Sequence, residues 1–436
     1  MTSELLIKDA LMILPSEERK GDLLVREGKI AAIGTDLVSD CGRIIDARGL
    51  VLMPGVIDPQ VHFREPGLEH KEDLFTATCA CAKGGVTSFL EMPNTIPPTT
   101  TQEALNDKLE RAKKKCLVNY GFFIGATPEN LEDLRTANPV CGIKVFMGSG
   151  HGILLVSKEE DLERIFATNN RLIAVHAENQ ERIIQRRKLF AGNTNPAIHS
   201  QIQDEETALS ATKLAVKLAN KYQRRLHILH LSTGIEAEYL RTHKTSFITT
   251  EVTPQHLLLN TTDYERLGTL AQMNPPLRSP ENNEMLWRAL KDGVIDCIAT
   301  DHAPHTLQEK AKPYPESPSG MPGVETSLPL MLTQAKQGRC SLAEVVKWMC
   351  TNPAKIYKIP HKGELKVGYD ADLVLVDWEN WRPVLRENLA TKCGWSPFEG
   401  WNLTGWPVYT IVNGEVVLDN GRVNTQVRGK PLTFEA

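Results

Sequence analysis

Long apolar runs are missing from this 436-residue chain. No stretch approaches the roughly 18 apolar residues that a membrane helix requires, so no membrane association is expected. The start, Met1-Thr2-Ser3-Glu4, has neither the basic residues nor the apolar core of a secretion signal. A surplus of positive charge is missing as well. The 50 Lys and Arg stand against 54 Asp and Glu, a net charge of −4, which gives no electrostatic case for nucleic acid. The nine cysteines form no Cys-x-x-Cys pair, and Cys79 and Cys81 are poorly spaced for a zinc clip. They read as free thiols of a reducing compartment, and a cytoplasmic location is expected. No solenoid repeat or low-complexity segment appears. What remains is ordinary globular composition, 41% hydrophobic and 24% charged. Lys113-Lys114-Lys115 lies in a helical pattern and reads as a solvated face.

At this length two or three domains are expected, although α/β barrels often exceed the usual domain size. Residues 4 to about 50 read as short strands punctuated by Gly28 and Gly34. The far end matches in kind. Ala371–Asp377 and Pro407–Val412 are strands, and Asn413-Gly414 and Asn420-Gly421 are hairpin turns around Glu415-Val416-Val417-Leu418. Neither piece has enough alternating apolar residues to close a core alone. Residues 1–53 and 363–436 are therefore expected to meet as one composite β-sandwich domain.

Between them, residues 54–362 alternate strands with helices. Strands are predicted to end near His62, Glu91, Gly125, Phe146, His176, His230, Thr253 and Asp301, with helices near 101–115, 157–169, 203–222 and 281–292. Eight such units predict an α/β fold of the (β/α)8 TIM-barrel type, whose active site forms at the strands' C-terminal ends. A doubly wound sheet is the competing arrangement, but no glycine-rich dinucleotide fingerprint follows the first strand. Residues 312–323 form an irregular loop rich in proline, of the kind that is usually functional or mobile.

The predicted strand ends carry His62, Asn94, Lys144, His176, His230 and Asp301, the last followed by His302 and His305. One histidine at a strand end is commonly a packed core residue. Several metal-capable groups on separate strands of one barrel point to a metal centre, with a polar, metal-free mouth as the alternative. Lys144 lies within the apolar run Ile143–Phe146, where burial disfavours its charge. It reads either as a snorkelling side chain or as a carboxylated lysine bridging two divalent cations. Arg64 offers a planar fork suited to a carboxylate. Asn94 and Asn274 follow the second and seventh strands, where asparagine also serves in turns. His151, in the loop after Lys144, reads as a plain loop residue.

Taken together, His62-Phe63-Arg64-Glu65-Pro66-Gly67, Met92-Pro93-Asn94, Lys144, His176, His230-Leu231-Ser232-Thr233, Met273-Asn274-Pro275-Pro276-Leu277-Arg278 and Asp301-His302-Ala303-Pro304-His305 resemble the dihydroorotases of the amidohydrolase superfamily. The likeness spans nearly the whole chain. It implies reversible cyclisation of N-carbamoyl-L-aspartate to L-dihydroorotate in de novo pyrimidine biosynthesis. One or two Zn2+ or other divalent ions are implied, held by His62, His176, His230, Asp301 and N6-carboxylated Lys144. A metal-bound hydroxide would attack the ring amide, with Asp301 as general base and then general acid. Arg64, Asn94 and His305 would hold the substrate carboxylate, while Asn274 and the backbone near Pro322-Gly323 would meet the ring. The departure is Gln60, which stands where the family's His-x-His motif has its first histidine and makes the metal seat near His62 doubtful. Two other readings follow: a hydrolase of another cyclic ureide, of allantoinase or hydantoinase type, and a catalytically silent homologue that scaffolds aspartate carbamoyltransferase. A small-molecule substrate and a homo-oligomer are expected on any enzymatic reading.

Overall fold

The computed structural model describes residues 4–39, 42–150, 152–168 and 170–435. The chain opens with β1 (Glu4–Ile13), β2 (Glu18–Arg26), β3 (Lys29–Gly34), β4 (Arg43–Asp46) and β5 (Leu50–Pro54). The first three make an antiparallel meander. A bulge between Ile7 and Ala10 divides β1. There Asp9 sits at φ 61°, and its N–H donates to Asp22 Oδ1 at 2.9 Å. Such bulges bend the strand and change its partner. Before the bulge Leu5–Lys8 pair in parallel with β4, and after it Leu11 and Met12 pair with β5.

A run of parallel strands follows: β6 (Val56–Val61), β7 (Val86–Glu91), β8 (Asn119–Phe122), β9 (Ile124–Gly125), β10 (Ile143–Phe146), β11 (Ile173–His176), β12 (Leu226–Ile228), β13 (Ile248–Val252) and β14 (Cys297–Ile298). β8 and β9 act as one strand interrupted at Phe123, the first part pairing with β7 and the second with β10. A parallel bridge from Val61 to His302, with the His62 N–H donating to His302 O at 2.8 Å, joins the last strand to the first. The result is a closed (β/α)8 barrel. Every residue of β6, β7, β10 and β11 is buried, as expected of strands covered on both faces.

The predicted helices fall within two residues of those observed, at Gln102–Lys115, Glu159–Thr168, Glu205–Tyr222 and Pro280–Lys291. In the third, Asp204 caps the N-terminus by accepting from the Thr207 N–H. Ala208, Ala211, Ala215, Leu218 and Ala219 recur at helical spacing and are buried, so the small side chains let the helix lie close to the barrel.

The chain ends in β15 (Leu373–Asp377), a short ribbon of β16 (Arg382–Pro383) and β17 (Asn402–Leu403), then β18 (Trp406–Val412), β19 (Glu415–Asp419) and β20 (Arg422–Val423). Asn413, Gly414, Asn420 and Gly421 all have positive φ, the requirement of two-residue hairpin turns. Leu375 of β15 lies opposite Leu52 of β5, so one sheet runs β20-β19-β18-β15-β5-β1-β2-β3. Both ends of the chain thus build the small β domain, over a core of Leu5, Ile7, Met12, Leu52, Leu373 and Ile411. Two stretches beyond residue 363 leave this sheet. Val384, Trp395 and Phe398 pack with Met273 and Met321 of the barrel side. Near the end, Pro431 bridges to Tyr120 and the Leu432 N–H donates to Tyr120 O at 2.8 Å. Among the described residues, no helix is long and apolar enough to cross a membrane.

Candidate active site

A cavity of about 1060 Å³ opens at the C-terminal ends of the barrel strands. Its wall includes Gln60, His62, Arg64, Asn94, Lys144, His176, His230, Asn274, Asp301 and His305, which come from separate strands and their following loops. Pro322 and Gly323 lie outside this wall, which reaches Gly320; the Gly323 N–H instead faces His302 Nδ1 at 3.1 Å. His151 is outside the described residues.

The strand-end side chains form two pairs. On one side the Asp301 Oδ1 lies 3.0 Å from His62 Nε2 and accepts from Gln60 Nε2 at 3.1 Å. Asn94 Oδ1, 2.6 Å from His62 Nδ1, accepts that nitrogen's proton and leaves Nε2 as the lone pair facing Asp301. On the other side His176 Nδ1 meets His230 Nε2 at 2.9 Å. Behind it His176 Nε2 meets Glu178 Oε2 at 2.7 Å, the carboxylate–histidine arrangement that orients and strengthens an imidazole ligand. Burial lowers the pKa of His62, and of His230 to well below the ordinary value, so both rings are neutral donors at neutral pH. The backbone is strained where these groups are presented: Arg64, His230 and Asp301 have φ of 70°, 35° and 47°.

Lys144 lies between the pairs in electrostatic terms, since its charge acts on both His62 and His230. It is fully buried, and its Nζ has no hydrogen-bond partner among the described residues, resting 4.5 Å from the Phe146 ring centre. Burial brings its pKa down from 10.5 to about 7. Between those values the unfolded chain holds a proton that the folded amine does not. Stability of the metal-free, uncarboxylated protein should therefore rise with pH from about 7 to 10.5, by up to ~1.4 kcal/mol per unit from this residue. Urea denaturation at pH 7.5 and 9.5 should show that gain in the native sequence and lose it in Lys144→Met.

Sequence reasoning passed over the residues that support the site. Glu178 follows His176 by two positions, where Glu178-Asn179 reads as the start of a helix. Burial raises its pKa, but contacts with His176, Arg278 and Ser149 bring it below the usual value, so it is ionised. Gln203, in the amide orientation that satisfies both its ends, donates to Glu178 Oε1 at 2.9 Å and to Asn274 Oδ1 at 3.0 Å. His199 Nε2 lies 2.8 Å from Asn274 Oδ1. Removing the carboxylate charge in Glu178→Gln should weaken divalent-metal binding about 10- to 100-fold, measurable by calorimetry on stripped protein.

A second buried group lies on neighbouring strands. His227, Glu251 and Cys297 bring ligand-capable atoms within 4.8 Å of one another. Both imidazole nitrogens are engaged, Nε2 with Glu251 Oε2 at 3.0 Å and Nδ1 with Thr249 Oγ1 at 2.8 Å. The loop predicted to be irregular, after helix Leu307–Lys310, contributes Tyr314 and residues 315–320 to the cavity wall. Lys310 Nζ ties it down by donating to the carbonyls of Gln272, Pro318 and Gly320 at 2.8–3.1 Å.

With the barrel and its rim described, relatives can be compared. The amidohydrolase family pattern matches residues 51–417, and the chain belongs to that family. Family members generally bind divalent metals. A dihydroorotase of Methanosarcina mazei is 38% identical, over 98% of this chain and 97% of that protein. An L-hydantoinase of Paenarthrobacter aurescens is 34% identical, over 96% and 95% respectively. Among solved structures, "L-Hydantoinase (Dihydropyrimidinase) from Arthrobacter aurescens" superposes with a TM-score of 0.95 at 33% identity, covering 99% of this chain and all of that one. The protein is accordingly a cyclic amidohydrolase, similar in sequence to dihydroorotases.

Proposed function

We propose that this enzyme is a dihydroorotase, closing N-carbamoyl-L-aspartate to L-dihydroorotate and reopening it. The observation that carries this reading is the wiring around Arg64. The Lys71 ammonium donates to His305 Nδ1 at 3.0 Å, so the ring proton sits on Nε2, which donates to Ser319 O at 3.0 Å. Arg64 Nη2 lies 3.2 Å from that same Nε2 and therefore faces a donor, not an acceptor. Arg64 Nε is used by Pro304 O at 3.0 Å. Burial lowers the guanidinium pKa to about 10, which still leaves it charged at neutral pH. A cation in the cavity wall, held beside a neutral imidazole, is completed by a carboxylate. Dihydroorotate carries one; an unsubstituted hydantoin does not.

The residues at the mouth fit divalent metal. Neutral imidazoles, a carboxylate and, among the described residues, three unpartnered buried atoms, Lys144 Nζ, Gln60 Oε1 and His230 Nδ1, belong to residues that converge there. His62 and Asp301 would hold one ion and His176 and His230 another, Zn2+ being suited to this donor set. Lys144 would join them as its carbamate. An amine must be neutral to add carbon dioxide, and a pKa of about 7 supplies that form. When bound, such ions polarise an amide carbonyl and acidify water. Asp301 would act as general base towards the attacking water and then as general acid towards the departing ring nitrogen. Its position is held by the Gln60 amide N–H and the turn at φ 47°.

The similarity to L-hydantoinases supports a second reading, hydrolysis of a cyclic ureide without an acidic group. Assays with dihydroorotate, carbamoyl-aspartate and hydantoin, before and after chelation, separate the two. Turnover confined to hydantoin would refute the dihydroorotase reading. Full activity after complete metal removal would refute the metal.

A further inference from the structure

We propose that Gln60 makes the two metal seats unequal. The seat at His62, Asp301 and Gln60 binds a divalent ion more weakly than the seat at His176 and His230, and it discriminates less in favour of Zn2+ over Mn2+. The inference rests on the two-ion reading above and concerns what this chain does to it.

Gln60 and His62 are two residues apart where β6 runs out, and both side chains reach Asp301 Oδ1, at 3.1 and 3.0 Å. Gln60 is 1% exposed. Its amide nitrogen cannot ligate a metal and donates to Asp301 Oδ1. Its Oε1 is buried without a hydrogen-bond partner among the described residues. A stranded amide oxygen beside a carboxylate and an imidazole is satisfied by a cation, which gives this seat one nitrogen and otherwise oxygen donors. The opposite seat has two imidazoles. Imidazole suits zinc, whereas neutral carbonyl and carboxylate oxygens suit manganese and magnesium.

The supporting contacts increase the difference. His176 is backed by the side-chain carboxyl of Glu178, while His62 is backed by the amide oxygen of Asn94. A carboxylate behind an imidazole raises its basicity more than an amide does. Asp301 Oδ1 is also shared with the Gln60 N–H, which occupies part of its accepting capacity.

Stripped full-length protein titrated separately with Zn2+ and Mn2+, followed by calorimetry and by the Mn2+ electron paramagnetic resonance signal, tests the proposal. The native sequence should show two Zn2+ steps separated by at least about tenfold, with a smaller Zn2+/Mn2+ preference at the weaker step. Gln60→His should bring the two Zn2+ steps together. Gln60→Ala should lose the weaker step and keep the tighter one. Two equal Zn2+ steps in the native protein, or a Gln60→His titration identical to it, would overturn the proposal. Absence of any divalent binding in all three proteins would instead overturn the metal reading on which it stands.

Discussion

Lys144→Ala should lower turnover by on the order of 10³-fold or more, because the side chain that would link both metal seats is gone. The same variant should lose bound metal, most visibly at the weaker seat. Lys144 is fully buried within β10, so truncation to alanine also opens a void. Lys144→Met, which fills the space without a nitrogen, separates the two effects. If the methionine variant folds to native stability and stays inactive, chemistry was lost; if it recovers near-native rates, the lysine is only structural. Acetate or propionate added to Lys144→Ala should restore part of the activity, since a small carboxylate can occupy the void and supply the missing oxygens. The measurements are steady-state rates and metal content by elemental analysis.

Arg64→Met should act on recognition and spare the bond-breaking step. With Arg64 removed, the only buried guanidinium of the cavity wall among the described residues, KM for dihydroorotate should rise on the order of 10²-fold. An uncharged hydantoin, if turned over at all, should change by no more than about threefold. Arg64→Lys keeps the charge but loses the planar fork and should fall between them. Equal losses on both substrates would favour the cyclic-ureide reading, in which no carboxylate is held.

Several strands of the barrel were legible because an apolar run stops at a residue that cannot be buried cheaply, as at His62, Glu91 and His176. Burial on both faces and the need for function at one rim produce that pattern together. Hairpins at Asn413-Gly414 and Asn420-Gly421 were equally readable, since positive φ at both central positions restricts the residues allowed. The supporting residues were not. Glu178 looks like a helix start, and His199 and Gln203 begin and cap a single helical turn, His199–Ile202, too short for any periodicity to mark. The Glu251 partner of His227 is 24 positions away, and only strand register brings them together. Trp395 and Phe398 were grouped with the β domain by their place in sequence. Their ring area is buried against the barrel instead, and Trp395 Nε1 donates to the His305 carbonyl at 2.8 Å.

The pairing of β5 with β15 has a consequence for biosynthesis. The two strands are about 320 residues apart, so at ~10 residues per second β5 leaves the ribosome roughly half a minute before its neighbour exists. During that interval Val51, Leu52 and Met53, all buried in the finished protein, present an open apolar edge to water or to a chaperone. A nascent chain stalled before residue 373 should thus be the aggregation-prone species, however stable the completed fold becomes.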